Sequence, residues 1–259
     1  MDAAALLETL RISMTGEIGD AEEVAVAYSG GLDSSIIAAL ASERAKVSCQ
    51  TWAVEGSFDA ANVVSRAKEE RLSVHLNLVG PARLKDAVAS AATALETRSP
   101  IQLAYTIPLV LVLMESAEKV VLAGNGADEL FGGYSKYSSV DNPESRMLFD
   151  FEKTQREANH LRSWADTRGK RLSLPFTSSE IIRLSRDIPL SRKISGSERK
   201  IVLRDVAKLL GLPSYNRPKK AAQYSSGVLR LMQRMAKQEG LSLADWTAER
   251  TDEKRRKLL

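Results

Sequence analysis

The sequence predicts an α/β protein: an open, twisted parallel sheet with helices on both faces, followed by a helical lobe. Short β-branched apolar runs alternate with longer helix-forming segments over residues 1–140, which is typical of parallel strands joined by crossover helices. A glycine-rich bend joins the first such run to its helix, and after Pro143 only helical patterns follow. We therefore expect a core over 1–140 and a mostly helical lobe over 141–259 that packs on the core and completes its site.

The strands of the core are predicted from runs of valine, isoleucine, threonine and aromatic residues that end at glycine or polar residues. Four strands are expected, at 24–27, 47–54, 73–79 and 119–123. Good helix formers fill the segments before and between them, with glycine and proline at their ends. Helices are expected over 3–13, directly after Asp33, and over 59–71, 81–95 and 101–117.

The lobe is predicted from apolar residues that recur at helical spacing between breakers. Its helices are expected over 144–168, 178–186, 198–210 and 227–239. The tail, 247–259, mixes basic and acidic residues, which indicates a solvated helix or a frayed end.

The composition indicates how large a core the protein can form and in which compartment we expect it. The 259 residues are 44% apolar, enough for one large core with a smaller appended lobe. The single cysteine, Cys49, cannot form an internal disulfide, which favours a reducing cytoplasm. We see neither a secretory signal nor an apolar run long enough to span a bilayer, so we expect a soluble cytoplasmic protein without a membrane partner.

The bend after the first strand has the sequence Ser-Gly-Gly-Leu-Asp-Ser-Ser, from Ser29 to Ser35. Its two glycines let the backbone approach a ligand, and its hydroxyls lie beside the free N–H groups of a helix start, which suits a phosphate. Asp33 would repel phosphate unless a cation lay between them, and Mg²⁺ is the cation that oxygen ligands prefer. The bend therefore predicts a nucleotide polyphosphate with magnesium. The alternative is an ordinary strand-to-helix bend without a ligand.

A second glycine-bearing bend, Gly124-Asn125-Gly126, follows the fourth strand. Asp128 and Glu129 come next, at a predicted helix start where the helix dipole favours negative charge. Because ligands of open parallel sheets bind beyond the carboxyl ends of the strands, Asp128 is a candidate to share magnesium with Asp33. Plain capping of the helix is the alternative.

Together the two bends, 29–35 and 124–134, resemble the synthetase domain of asparagine synthetases and β-lactam synthetases. These belong to the PP-loop ATP pyrophosphatases, whose fold is adenine nucleotide alpha hydrolase-like. Leu174-Pro175-Phe176, the segment 200–204 and Arg217-Pro218-Lys219 are similar to later landmarks of that family, in the same order.

The resemblance implies a ligase that activates a carboxylate with ATP and Mg²⁺ as an acyl-adenylate, releases pyrophosphate and forms an amide. Pyrophosphate is then implied to be held by Ser29, Gly30, Gly31, Asp33, Ser34 and Ser35. The adenosine pocket is implied to be lined, largely by backbone, by Tyr28, Val54, Ala123 and Gly124. Magnesium ligands are implied at Asp33 and Asp128, and catalytic roles at Asn125, Glu129, Lys200 and Lys219, with Lys219 over the α-phosphate.

Two positions depart from the family pattern. Asp2 stands where asparagine synthetases have the catalytic cysteine of their glutaminase domain, so nitrogen is expected from free ammonia, an amine or a separate glutaminase subunit. Asn125 stands where asparagine synthetases have glutamate and β-lactam synthetases have tyrosine. An amide cannot take a proton at neutral pH, so any base is expected elsewhere, at Glu129, at Glu55 or on the substrate.

Three functions stay open from the sequence. A stand-alone, AMP-forming ligase of the asparagine synthetase class is the leading hypothesis. An RNA-modifying PP-loop enzyme that adenylates a base is suggested by the net charge of +4, but one cysteine and the lack of an aromatic-studded basic surface disfavour nucleic acid. Asn125 suggests a nucleotide-binding subunit without turnover. A homo-oligomer is compatible with all three.

Overall fold

Five parallel strands form the sheet of this protein. The computed structural model describes residues 2–218 and 222–258. The strands are β1 (Glu23–Ala27), β2 (Lys46–Ala53), β3 (Val74–Leu78), β4 (Val120–Leu122) and β5 (Arg171–Ser173). Their order across the sheet is β3-β2-β1-β4-β5. The four strands predicted from the sequence are present, and the predicted α/β class is confirmed.

Helices connect and follow the strands. Before and within the sheet lie α1 (Ala3–Ile18), α2 (Leu32–Ser42), α3 (Phe58–Glu69), α4 (Pro81–Leu95), α5 (Pro100–Glu115), α6 (Ala127–Phe131) and α7 (Pro143–Asp166). After the sheet lie α8 (Ser179–Asp187), α9 (Ile201–Leu209), α10 (Ala222–Ser225), α11 (Val228–Gln238) and α12 (Leu243–Leu258).

Both faces of the sheet are covered because side chains alternate along each strand. Val24 and Val26 of β1 pack into one apolar cluster with α1, α2, α3, α8 and α9. Ala25, between them, packs into the other cluster with α4, α5, α7, α11 and α12. β4 repeats the pattern, with Val121 facing the second cluster and Leu122 the first. Helices that follow residue 140 therefore complete the core on each face.

The expectation that only helices follow Pro143 is wrong. β5 pairs with β4, Arg171 opposite Val120, and extends the sheet. An antiparallel hairpin of β6 (Ile194–Ser195) and β7 (Glu198–Arg199) precedes α9, where the sequence predicted a helix from residue 198. Strands of two or three residues are too short to show a period, so only their pairing partners define them. The domain boundary at residue 140 stays a prediction.

Within the described residues, no single helix is both long and apolar enough to cross a membrane. α4 and α5 reach the required length and composition only as a pair, and they are bent by 102° at the break between them. Residues 109–113 of α5 are buried inside the protein, so core packing accounts for the apolar composition of this helix.

The tail is less solvated than the sequence predicted, because α12 begins before it and packs on the core. Trp246 is fully buried in the same cluster as Ala25 of β1, and Thr247 and Thr251 are buried beside it. A large apolar side chain at Trp246 thus anchors α12, which local charge patterns could not show.

Trp246→Ala is expected to lower the free energy of unfolding by about 3–5 kcal/mol, because it leaves a large cavity in the core. Denaturant unfolding followed by circular dichroism measures this. The control is Phe149→Ala on α7, at an exposed aromatic residue, with an expected change within about 0.5 kcal/mol. Equal effects of the two substitutions would contradict the anchoring of α12 in the core.

Candidate nucleotide site

The two glycine-bearing bends lie side by side at the carboxyl ends of β1 and β4, which are neighbours in the sheet. Gly124 is so close to the start of α2 that a Cβ atom on it would lie 2.9 Å from Cβ of Asp33. Real Cβ atoms do not approach so closely, so glycine is required at this position. The structure thus brings together two segments that lie far apart in the sequence.

The first bend is held in shape by its own serines. The Oγ atoms of Ser29 and Ser34 are 3.2 Å apart, and the Ser29 N–H donates to Ser34 Oγ at 3.2 Å. The Gly31 N–H donates to Ser29 Oγ at 3.3 Å. Gly30 has a φ of 66°, in the left-handed region that favours glycine. No side chain caps α2 at Gly31, so the helix start keeps the N–H groups that an anion can bind.

Asp33 and Asp128 share a cation, and it is an ammonium group of the chain itself. Lys200 Nζ lies 2.5 Å from Asp33 Oδ2 and 2.6 Å from Asp128 Oδ1. Burial disfavours the charged form of this lysine, but the two carboxylates outweigh burial and raise the pKa of Lys200. The sequence predicted that these carboxylates share magnesium, which stays a prediction, and the structure places the Lys200 ammonium between them.

The local backbone conformation places Lys200 between the two carboxylates. Lys200 follows the β6–β7 hairpin, caps the start of α9 and has a φ of 56°, which is uncommon for a residue with a side chain. Gly133 lies directly against the pair, since a Cβ atom on it would overlap both Asp128 Oδ1 and Lys200 Cε. The second glycine of the Gly132-Gly133 turn therefore makes room for the ion pair.

The donor set suits magnesium only together with a polyphosphate. Among the described residues, no group of three or more His, Cys, Asp or Glu side chains could hold a metal ion. Mg²⁺ commonly binds through one or two carboxylates and completes its shell with phosphate oxygens and water. Asp33 and Asp128 are each partly exposed and supply two carboxylates. For both to bind Mg²⁺ with the oxygens they now give to Lys200, this ammonium group must withdraw.

Glu129 and Asn125 occupy different surroundings, although both follow β4. Glu129 is buried and accepts a hydrogen bond from the Tyr134 hydroxyl at 2.8 Å. Burial, and then the neighbouring Asp128 carboxylate, raise the pKa of Glu129. Asn125 is exposed. Of these two predicted catalytic residues, only Glu129 has an environment that favours taking up a proton.

The adenosine pocket stays a prediction, and the residues proposed to line it make the following contacts. The Tyr28 side chain is buried in the core, where its hydroxyl donates to Glu70 Oε2 at 2.8 Å. The Val54 N–H donates to the Ser226 carbonyl at 2.8 Å, and the Ala123 N–H donates to a carbonyl of β5. Glu55 is exposed at the end of β2. Lys219, predicted over the α-phosphate, lies outside the described residues.

Sequence reasoning assigned no role to Arg217, although it belongs to the Arg-Pro-Lys landmark. Its guanidinium donates to the Gly30 carbonyl at 2.9 Å and pairs with Glu70 Oε1 at 2.8 Å. The Arg-Pro-Lys landmark could have drawn attention to Arg217. Its contact with Gly30 was not predictable, because the two residues lie 187 positions apart in the sequence. Arg217, near the C-terminal end of the chain, therefore contacts the first bend.

The first bend can bind an anion, and the two carboxylates bridged by Lys200 lie beside it at the carboxyl edge of the parallel sheet. This arrangement is typical of nucleotide-binding α/β proteins. Residues 5–173, more than half of the chain, match the family described as Asparagine synthase. The chain belongs to this family, and the resemblance drawn from the two bends is confirmed.

Individual relatives agree with this assignment. A protein of Methanocaldococcus jannaschii named "Putative asparagine synthetase (glutamine-hydrolyzing) 1" is 28% identical over 279 residues, covering 90% of this chain and 51% of the relative. A "Probable asparagine synthetase (glutamine-hydrolyzing)" of Schizosaccharomyces pombe is 27% identical, covering 79% and 42%. The chain thus spans about half the length of these curated relatives.

Among solved structures, an NMN synthetase from Francisella tularensis has a TM-score of 0.45 at 12% identity, covering 97% of this chain and 92% of that one.

Glu129→Gln is expected to stabilise the protein at pH 7 by roughly 1 kcal/mol or more, because it removes a buried charge while its amide oxygen can still accept the Tyr134 hydrogen bond. Since folding raises the pKa of Glu129, the wild type loses stability as the pH rises through that pKa. The advantage of the variant should therefore shrink as the pH falls towards 4. Urea unfolding at each pH measures it.

The control for this pH series is Glu152→Gln, at an exposed carboxyl on α7, which should change stability little at any pH. An advantage of Glu129→Gln that stays constant with pH would contradict the raised pKa of Glu129.

Proposed function

We propose that this chain is the synthetase unit of an ATP-dependent ligase. A carboxylate attacks the α-phosphorus of ATP, which gives an acyl-adenylate and pyrophosphate, and ammonia or an amine then attacks the acyl carbon, which gives an amide and AMP. The observation that carries this proposal is the meeting of the two bends around Lys200, 2.5 and 2.6 Å from the two carboxylates. Membership of the asparagine synthase family supports ATP as the activating substrate.

The first bend suits the departing pyrophosphate, because its serines hold it open and the start of α2 offers uncapped N–H groups. Charge builds up on the leaving group as the α-phosphorus is attacked, and a cation at this edge of the sheet would stabilise it. That cation would be the Lys200 ammonium, or magnesium held by Asp33 and Asp128 once the ammonium has withdrawn. The backbone pocket for adenosine and the placement of Lys219 over the α-phosphate stay part of the proposal.

The nitrogen step has a different base from the one the family pattern suggests. Asn125 can only donate and accept hydrogen bonds, so we assign proton uptake to the buried Glu129 or to the amine itself. The relatives named above carry glutamine hydrolysis in their names. For this chain we propose free ammonia, an amine or a glutaminase unit outside the chain as the nitrogen source.

Isotope exchange between pyrophosphate and ATP, with a panel of carboxylic acids, tests the first half-reaction. We expect exchange that depends on Mg²⁺ and on one class of acid, with AMP accumulating when ammonia or an amine is added. Asp33→Asn should lower the rate by about a hundredfold or more, because it removes one of the charged groups that organise the phosphates. Asp205→Asn, at a carboxylate that pairs with Arg192 and Lys208 on the surface, should not.

The products of this assay separate the candidate functions. Consistent formation of ADP and phosphate would rule the ligase out. Binding of ATP without AMP formation, whatever acid, amine or partner is added, would instead favour the nucleotide-binding subunit that Asn125 suggested.

Lys200→Met removes the cation that holds the two carboxylates together. Without it the free energy of unfolding should fall by about 3–5 kcal/mol in metal-free buffer, because two partly buried carboxylates then lack a counter-charge. In the presence of pyrophosphate, added Mg²⁺ should raise the Tm of the variant more than that of the wild type, since the competing ammonium is gone. Thermal unfolding with and without Mg²⁺ measures both effects.

Two further variants control the Lys200 experiment. Lys208→Met removes an exposed lysine paired with Asp205 at 2.8 Å and should change neither stability nor the response to Mg²⁺ appreciably. Asp33→Asn in the Lys200→Met background should abolish the extra response. An equal Mg²⁺ response in wild type and Lys200→Met would show that ammonium and metal do not compete for these carboxylates.

A further inference from the structure

We propose that Arg217 is a positioning residue that sets the orientation of the peptide between Gly30 and Gly31 in the first bend. In doing so it would turn an N–H group towards the phosphates and keep a carbonyl away from them. This inference rests on the proposed function, because it concerns the same bend and its nucleotide.

The contacts of Arg217 show a guanidinium group enclosed by acceptors. Its side chain is 10% exposed. Besides the Gly30 carbonyl and Glu70, it contacts Glu69 Oε2 at 2.7 Å and the Arg66 carbonyl at 3.3 Å. The planar guanidinium group has five N–H donors at fixed angles and can satisfy these four acceptors. A lysine ammonium group cannot reproduce that geometry.

The geometry of the Gly30–Gly31 peptide explains how Arg217 could affect anion binding by the first bend. A trans peptide directs its C=O and its N–H to opposite sides. Because Arg217 binds the Gly30 carbonyl at 2.9 Å, the Gly31 N–H faces the other way, into the bend, where it donates to Ser29 Oγ at 3.3 Å. If the peptide flipped, a carbonyl oxygen would face the bound phosphates and repel them. Arg217 thus selects the orientation that attracts an anion.

Buried partners keep Arg217 in place. The Glu70 side chain is fully buried and joins Arg217 through one oxygen and the Tyr28 hydroxyl through the other. Arg204 donates to the carbonyls of Tyr215 and of Arg217, the latter at 3.3 Å. Its Nε donates at 2.9 Å to the carbonyl of the residue that precedes Lys200. The landmark segments 200–204 and 217–218 are therefore tied to each other and to the first bend.

The test uses variants that keep the buried charges balanced. Arg217→Gln alone would strand the Glu70 carboxylate, so Arg217→Gln/Glu70→Gln is compared with Glu70→Gln alone. We expect the double variant to keep a cooperative unfolding transition and to bind ATP roughly tenfold or more weakly, as after loss of one charge-assisted hydrogen bond. Calorimetric titration with Mg·ATP measures affinity. In pyrophosphate exchange, KM for ATP should rise while KM for the acid does not.

Chemical rescue separates positioning from a merely structural role. Methylguanidinium at millimolar concentration should restore part of the ATP affinity of Arg217→Ala/Glu70→Gln, because it can occupy the space left beside the Gly30 carbonyl. The matched control is Arg192→Ala, which loses an arginine paired with Asp205 at 2.9 Å and should show neither the weakening nor the rescue.

Each outcome bears on one of the two proposals. Unchanged ATP affinity in the folded double variant would overturn the role of Arg217 and leave the ligase proposal standing. A parallel rise of the KM values for ATP and for the acid would likewise overturn it. Failure of the wild type to bind ATP or to exchange pyrophosphate would overturn the ligase proposal itself, and the role of Arg217 with it.

Discussion

One buried ammonium group between two carboxylates is the interaction on which the candidate site depends. Lys200 comes from the helical part of the chain, and the carboxylates of Asp33 and Asp128 come from bends after two neighbouring strands. Removing the ammonium would leave two carboxylates close together without a counter-charge in a partly buried place. The ion pair thus holds the two bends at a common edge, and close approaches at Gly124 and Gly133 leave space for it.

A second set of charges contacts the backbone of the same bend. Arg217 joins the Gly30 carbonyl to Glu70, and Glu70 in turn holds the Tyr28 hydroxyl. Both sets of contacts therefore hold the bend before any ligand arrives, as preorganised electrostatic sites require. Family membership supports nucleotide chemistry at this edge of the sheet. The acid, the nitrogen source and the metal belong to the proposal built on that geometry.

Much of the fold was predictable because its signals are local. The β-branched runs of β1 to β4 and the proline that begins α4 act over a few residues, so their elements begin and end within one residue of where the patterns indicated. β5 and the β6–β7 hairpin were not predictable, since strands this short exist only through pairing with partners elsewhere. The expected solvated tail is held by Trp246, whose burial depends on distant helices.

For the site, the sequence by itself determined the family and the candidate residues: two glycine-bearing bends with Asp33 and Asp128. Tertiary structure decided which groups meet there. It placed Lys200, 167 positions from Asp33, between the carboxylates, turned the Tyr28 side chain into the core and brought Arg217 to Gly30. The physical reason is that glycine, serine and capping preferences act through neighbouring backbone, whereas charge pairing and burial depend on contacts that exist only after the chain has folded.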